Sequence, residues 1–274
     1  MNEHISNFIN GGIAGIISRT STSPLERLKI LQQNYPKIYN KHIFISFYKM
    51  YKYDGLYGLF KGNLTNCIRI FPQNAIQYSV FNISKNKLNT YIYNENILNF
   101  MGGAIGGIIS YTSIYPLETV RSKLSVQNKK YNGIYDCLHK NIKNNGIYSL
   151  YRGGGVSALG FIPFQGSNFL SYYYFKNKYK NNKMNDQIKY FLFGSISGFI
   201  SVSITYPFDI IKRKLQLTGE FGNPVYNSIQ HCVEYTYKTH KIKGFYMGLT
   251  SCYLKIIPAN GIYFMIIELL KDNN

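Results

Sequence analysis

Three prolines, Pro24, Pro116 and Pro207, lie 92 and 91 residues apart, and the residues around them repeat in register. Gly11, Gly103 and Gly194 each precede their proline by 13 positions; Gly15, Gly107 and Gly198 precede it by 9. Further along, Gly62, Gly153 and Gly248 each stand 10 residues before a second proline: Pro72, Pro163 or Pro258. Self-similarity at one long period means that a supersecondary unit is copied and packed against its copies. The units are residues 1–92, 93–184 and 185–274.

Each unit holds two long apolar stretches. The first of each pair, 8–23, 97–115 and 190–206, is nearly uncharged and rich in Gly, Ile and Ser; the second lies at 64–83, 156–175 and 250–270. All six approach the roughly 20 residues that a membrane-crossing helix needs. The expectation is an all-α membrane protein with six transmembrane helices in three pseudo-threefold repeats, although the mean hydropathy is −0.17. The glycines four apart on each first helix form small faces, which let helices approach closely in lipid, where hydrophobicity does not drive association.

Lys and Arg number 31 against 12 Asp and Glu, a formal charge of +19. These bases are spread through loops rather than gathered in one stripe, so no nucleic-acid partner is expected. No GxxxxGK[ST], HExxH or GxSxG occurs, which removes the usual anchors of nucleotide hydrolysis, metalloprotease and α/β-hydrolase chemistry. Cys67, Cys137, Cys232 and Cys252 are scattered, so neither a disulfide framework nor a zinc site is expected. The N-terminal residues carry no Arg-rich presequence and no signal peptide, so any import address is expected to be internal. No catalytic residue, metal or cofactor is expected.

Around the first prolines the pattern P-x-[DE]-x-x-[KR] occurs three times: Pro24, Glu26 and Lys29; Pro116, Glu118 and Arg121; Pro207, Asp209 and Lys212. An acid and a base three apart share one helix face, and a proline just before them kinks the helix. Three such ends around a threefold axis place alternating charges in a ring, and charges at membrane depth are costly unless paired. The alternative is three solvated helix ends with ordinary i,i+3 pairs.

This triple pattern resembles the signature of the mitochondrial carrier family, and the resemblance spans nearly the whole chain. Asp54-Gly55 to Gly62 and Asn145-Gly146 to Gly153 continue the likeness, whereas His240-Lys241 and Met247 depart from it. The resemblance implies a matrix gate of inter-repeat pairs: Glu26 with Arg121, Glu118 with Lys212, and Asp209 with Lys29. It implies bracing glutamines at Gln33 and Gln216, with Ser125 departing. It also implies a cytoplasmic gate at Asn82 and Lys85, Tyr173 and Lys176, and Glu268 and Lys271, in which Glu268 is the single acid. A resting protein open to the cytosol follows, with long connections in the matrix. Counting Lys and Arg in the connections gives no independent orientation. The implied setting is the mitochondrial inner membrane, as a multi-pass monomer in contact with lipid, cardiolipin among the candidates.

Substrate chemistry is sought where the threefold pattern breaks. Three residues before the second prolines stand Arg69, Gly160 and Lys255; five before the first stand Arg19, Tyr111 and Val202. Arg19, Arg69 and Lys255 have no acid at equivalent positions, so they form a candidate anion site, and guanidinium suits phosphate. The rival reading is three snorkelling charges. These positions match phosphate-binding bases of carriers for adenine nucleotides, and Gly160-Phe161 is similar to the pair that shapes their adenine pocket. Phe164 is a candidate stacking residue, or else Phe161 and Phe164 are packing aromatics. The run from Gly62 to Tyr78 looks most like the coenzyme A carriers. The expected function is therefore transport of coenzyme A or a related adenine nucleotide by alternating access, with ADP/ATP or ATP-Mg/phosphate exchange as the alternative. A non-transporting membrane scaffold is the rival of another class.

Overall fold

A computed structural model describes residues 3–39, 42–126, 130–179 and 186–272, and the described residues form helices, 3-10 turns and loops without strands. In repeat one, α1 (Glu3–Ser21) and α2 (Ser23–Asn34) form one broken long helix. They are followed by α3 (Pro36–Tyr39), α4 (Ile43–Gly58), α5 (Asn63–Ile68) and α6 (Ile70–Leu88). Repeat two has α7 (Glu95–Val126), α8 (Ile134–Asn145) and α9 (Gly154–Lys178); repeat three has α10 (Asp186–Gln216), α11 (Ile229–His240) and α12 (Leu249–Asp272). Among the described residues each repeat thus has two long helical rods separated by a shorter helix, α4, α8 or α11, with the one-turn α3 in addition in repeat one.

The prolines act differently from repeat to repeat. Repeat one breaks at Thr22, two residues before Pro24, and again at Arg69, three before Pro72. In α7, α9, α10 and α12 the helix runs on through Pro116, Pro163, Pro207 and Pro258. At Thr22 the side-chain hydroxyl turns back to donate to the Ser18 carbonyl at 2.8 Å, competing with the helix's own ladder.

Packing is tight between repeats and loose within them: α6 packs along α7, α9 along α10, and α12 along α1 and α2. The close approaches fall on glycines other than the expected ones. A Cβ at Gly106 would lie 2.9 Å from the Gln77 carbonyl oxygen, and one at Gly12 would strike the Phe71 ring. Gly103, Gly194 and Gly198 have open space around them. Spacing alone placed the small face one position off, because helix rotation about its axis is set by the neighbour.

A second glycine set closes the barrel. Gly62, Gly153 and Gly248 adopt φ of 82°, 84° and 81°, a conformation that only glycine takes readily. A Cβ on them would lie 3.0 Å from the Arg121 oxygen, 2.9 Å from the Lys212 oxygen and 3.2 Å from the Lys29 oxygen, respectively. Each glycine therefore seats the backbone carbonyl of the next repeat's motif base, cyclically around the axis. The buried apolar clusters gather at this end, as with Leu28, Leu31, Met50, Val126 and Leu217.

Among the described residues, two stretches reach membrane-span hydropathy unaided, Ile97–Val126 and Ile242–Ile267. The rods α6 and α9 are interrupted instead by Asn, Gln, Ser, Tyr and Lys, which lower their mean hydropathy.

Candidate functional site

The motif acids and bases meet across repeats. Arg121 Nη2 lies 3.2 Å from Glu26 Oε1, Lys212 Nζ 3.5 Å from Glu118 Oε1, and Lys29 Nζ 2.5 Å from Asp209 Oδ2. Tyrosines line two of these seats: Lys29 lies 5.2 Å from the Tyr206 ring centre, and Lys212 donates to the Tyr111 hydroxyl at 2.5 Å.

Two of the three central bases expected to lack an acid have one. Arg69 Nη1 donates to Glu118 Oε2, and Lys255 Nζ donates to Glu26 Oε2. The equivalent-position argument missed this, because these long side chains reach the motif acid of the following repeat. Arg19 keeps the expected character: its Nη1 donates at 3.2 Å to the neutral Asn66 Oδ1, which also accepts from Arg69 Nε at 3.2 Å. Among the described residues Arg19 makes no ion pair.

Sequence reasoning overlooked Arg213, which looked like part of an ordinary basic run beside Lys212. It is 4% exposed, lies 2.8 Å from Glu118 Oε1, and donates to Ser122 Oγ at 2.5 Å. Arg19, Lys29, Arg69, Arg121, Lys212, Arg213 and Lys255 thus surround only three carboxylates, Glu26, Glu118 and Asp209. Four positive charges remain in excess at the centre, which an anionic ligand would offset.

Beside this cluster a cavity of about 1280 Å³ opens between α7 and α9, bounded also by α6 and α10. Gly160, Phe161 and Phe164 line it, together with Tyr111, Asp209 and Lys212. Gly160 is needed for close packing, since a Cβ there would lie 2.9 Å from Phe208 Cβ. The lining combines aromatic faces with a few polar groups, as small-molecule sites do.

Among the described residues neither glutamine bonds a member of the three ring pairs, although Gln216 Oε1 accepts from Arg213 at 3.2 Å. Gln33 Nε2 donates to Tyr206 OH at 3.1 Å, and Gln216 Nε2 to Tyr115 OH at 3.0 Å. Each tyrosine directly precedes its motif proline and donates onward, Tyr206 to the Met247 carbonyl and Tyr115 to the Arg152 carbonyl, both at 3.0 Å. The glutamines therefore fix the tyrosines at the glycine seats described above.

At the opposite end of the barrel, Lys85 lies 3.8 Å from Glu95, and Lys176 lies 5.9 Å from the Tyr173 ring centre on its own helix. Asn82 is half-buried on α6. Glu268 and Lys271 belong to α12, but their side chains lie outside the described residues. All four cysteines are free.

A further tie spans the motif end. Glu220, in the loop after α10, receives hydrogen bonds from Lys123 on α7, from Lys130 at 2.9 Å and from Tyr131 OH at 2.8 Å. Burial alone would raise the pKa of its carboxyl, but these three donors outweigh it, so Glu220 titrates below the usual glutamate range. The next residue, Phe221, takes a left-handed φ of 52° and accepts at its carbonyl from Tyr35 OH of repeat one at 2.9 Å. This loop of repeat three is thus fastened to both other repeats.

Comparison with known proteins agrees with this architecture. The family profile described as mitochondrial carrier protein matches residues 2–91, 94–183 and 185–273. An uncharacterized mitochondrial carrier of Saccharomyces cerevisiae is 31% identical over 297 residues, covering 97% of this chain and 91% of its own. The mitochondrial adenine nucleotide transporter ADNT1 of Arabidopsis thaliana is 33% identical over 300 residues, covering 96% and 85%. The mitochondrial adenyl nucleotide antiporter SLC25A24 of Homo sapiens is 32% identical over 271 residues, covering 96% of this chain but 57% of that antiporter. This chain belongs to the mitochondrial carrier family. It is a multi-pass transporter of the mitochondrial inner membrane, not an enzyme.

Proposed function

We propose that this carrier exchanges an adenine nucleotide, or a compound built on one such as coenzyme A, by alternating access. The observation that carries the reading is the excess of positive charge around Arg19 and Arg69, beside a cavity lined by Gly160, Phe161 and Phe164. Arg19, Arg69 and Lys255 hold the phosphates, and the aromatic lining takes the purine. Names of two relatives, an adenine nucleotide transporter and an adenyl nucleotide antiporter, support the same class.

Coupling follows from which bonds the phosphates compete with. Arg69 ties repeat one to Glu118 of repeat two, and Lys255 ties repeat three to Glu26 of repeat one. A phosphate that draws these bases away removes two inter-repeat ties at the motif end. Binding energy is thereby spent on loosening the matrix gate formed by Glu26, Lys29, Glu118, Arg121, Asp209 and Lys212. A ligand shifts such an equilibrium only through its unequal affinity for the two states. The residues Asn82, Lys85, Tyr173, Lys176, Glu268 and Lys271 then form the opposing cytoplasmic gate.

The test is thermal unfolding of the purified protein, followed by uptake into preloaded liposomes, with ADP, ATP, AMP, coenzyme A and phosphate. Stabilisation by nucleotides, lost in Arg19→Ala, supports the reading, since a ligand of the folded state raises Tm by mass action. The likeness of Gly62 to Tyr78 to coenzyme A carriers favours a second outcome, stabilisation by coenzyme A above the nucleotides. Absence of any response to all five compounds overturns the proposal.

A further inference from the structure

Five buried side-chain atoms among the described residues lack a hydrogen-bond partner, and they belong to Gln33, Asn34, Thr65, Gln73 and Arg213. Only Gln73 of these lines the cavity between α7 and α9. Its Oε1 is buried and accepts no hydrogen bond. Leaving a buried carbonyl oxygen unpaired is unfavourable, so an orphan acceptor on a side chain that lines a ligand space gains a partner when the amide turns toward a donor arriving there.

Position tells which part of a ligand it meets. Gln73 stands one helical turn past Arg69, and its backbone N–H donates to the Arg69 carbonyl at 3.0 Å. Four residues of helix advance about 6 Å, so a nucleotide with its phosphates at Arg19 and Arg69 extends its base toward Gln73. Phe161 and Phe164 line the same space from α9. Gln77, one turn further, is exposed, so its amide is already solvated.

The amide has one acceptor and one donor end. Adenine presents a matching pair on its Hoogsteen edge, the N6 amine as donor and N7 as acceptor, which a glutamine engages with two hydrogen bonds. Hypoxanthine replaces the amine with an oxygen, so the edge offers two acceptors and leaves Oε1 unpaired. We propose that Gln73 is the specificity-determining residue for the base, selecting a 6-amino over a 6-oxo purine. This rests on the adenine-nucleotide reading above and applies equally to coenzyme A, which carries the same base.

The experiment compares ADP with IDP, in which the 6-amino group becomes 6-oxo and N1 gains a proton, in competition for uptake by reconstituted wild type and Gln73→Leu; only the 6-position difference is read by Gln73, so only that part of the preference should be lost in the variant. Wild type should favour ADP by about tenfold in KM, the discrimination of one such bidentate pair. Gln73→Leu should bring the two KM values within about twofold of each other, chiefly by weakening ADP, because the 6-oxo purine had little to lose. Its unliganded melting temperature should hold or rise, since an apolar group of similar size replaces an unpaired polar one. Gln73→Met carries the same expectation should the leucine variant fold poorly. Equal KM values in wild type, or a preference for ADP that survives both substitutions, overturn the proposal. A wild-type protein that takes up neither nucleotide instead refutes the underlying functional reading.

Discussion

Glu118 and Asp209 occupy equivalent seats in two repeats, yet their surroundings differ sharply. Glu118 is 3% exposed in its side chain and pairs with Arg69, Arg121, Lys212 and Arg213; Asp209 is 34% exposed and, among the described residues, pairs with Lys29. The difference traces to two positions, the one held by Arg69, Gly160 and Lys255 and the one held by Arg213, whose counterparts in the other repeats are Ile30 and Ser122. Arg69 reaches the acid of repeat two and Lys255 the acid of repeat one, but the corresponding residue facing Asp209 is Gly160. With no third base there, the cavity opens against Asp209. Pseudo-symmetry builds the ring of pairs, and its breach at Gly160 leaves the cavity beside Asp209.

Removing the better-served acid should therefore hurt most. Glu118→Gln leaves four cations around a neutral amide, and breaking a buried pair in this way costs about 3–5 kcal/mol. A large fall in Tm is expected, together with loss of uptake. Asp209→Asn breaks one pair beside solvent and should cost less, about 1–3 kcal/mol. Thermal unfolding of both variants checks the order; a variant at Asp209 as damaging as that at Glu118 would mean that the cavity-side seat is not under-occupied.

Glu220 extends the comparison outside the barrel, because it too gathers several donors from another repeat. Its pKa is depressed in the folded protein, so its contribution to stability is complete above the unfolded value of about 4.3 and is lost as pH falls through the lower folded value. Glu220→Gln should lower Tm near neutral pH, and the gap to wild type should narrow as pH is taken from about 5 to about 3. A gap independent of pH in that window would show that the loop is held by Phe221 packing rather than by the carboxylate.

The ring of charges was legible in the sequence because each acid and base recurs at a fixed offset from a proline, and three copies fix a threefold geometry; the order of its partners was what the resemblance to the carrier family implied. Arg69 and Lys255 were found as central bases but not as partners of Glu118 and Glu26, since equivalent-position logic compares like with like and misses reach into the next repeat. Arg213 was hidden by its neighbours Lys212 and Lys214. The Glu220 tie had only a faint signal, glycines at Gly219 and Gly222 flanking a charged and an aromatic residue. The rotation of the glycine faces was not legible, because period gives spacing along a helix but the partner decides which side is covered.

The two glutamines repeat the contrast on a smaller scale. Gln216 is satisfied at both ends of its amide: Ser122 Oγ donates to its Oε1 at 2.7 Å, Arg213 donates at 3.2 Å, and its Nε2 holds Tyr115. Gln33 is fully buried but makes one bond, to Tyr206, and its Oε1 has no partner. Replacing a half-satisfied amide by an apolar group of similar shape removes both the bond and the orphan, and these nearly offset each other. Gln33→Leu should thus change stability by about 0.5 kcal/mol or less, whereas Gln216→Leu strands Ser122 and Arg213 and should cost about 1–3 kcal/mol. Unfolding curves for the pair provide the finest check on the comparison. If the two substitutions prove equally costly, Gln33 must serve the Lys29 and Asp209 pair directly, as a true brace would, and the tyrosine-holding role assigned to it here is wrong.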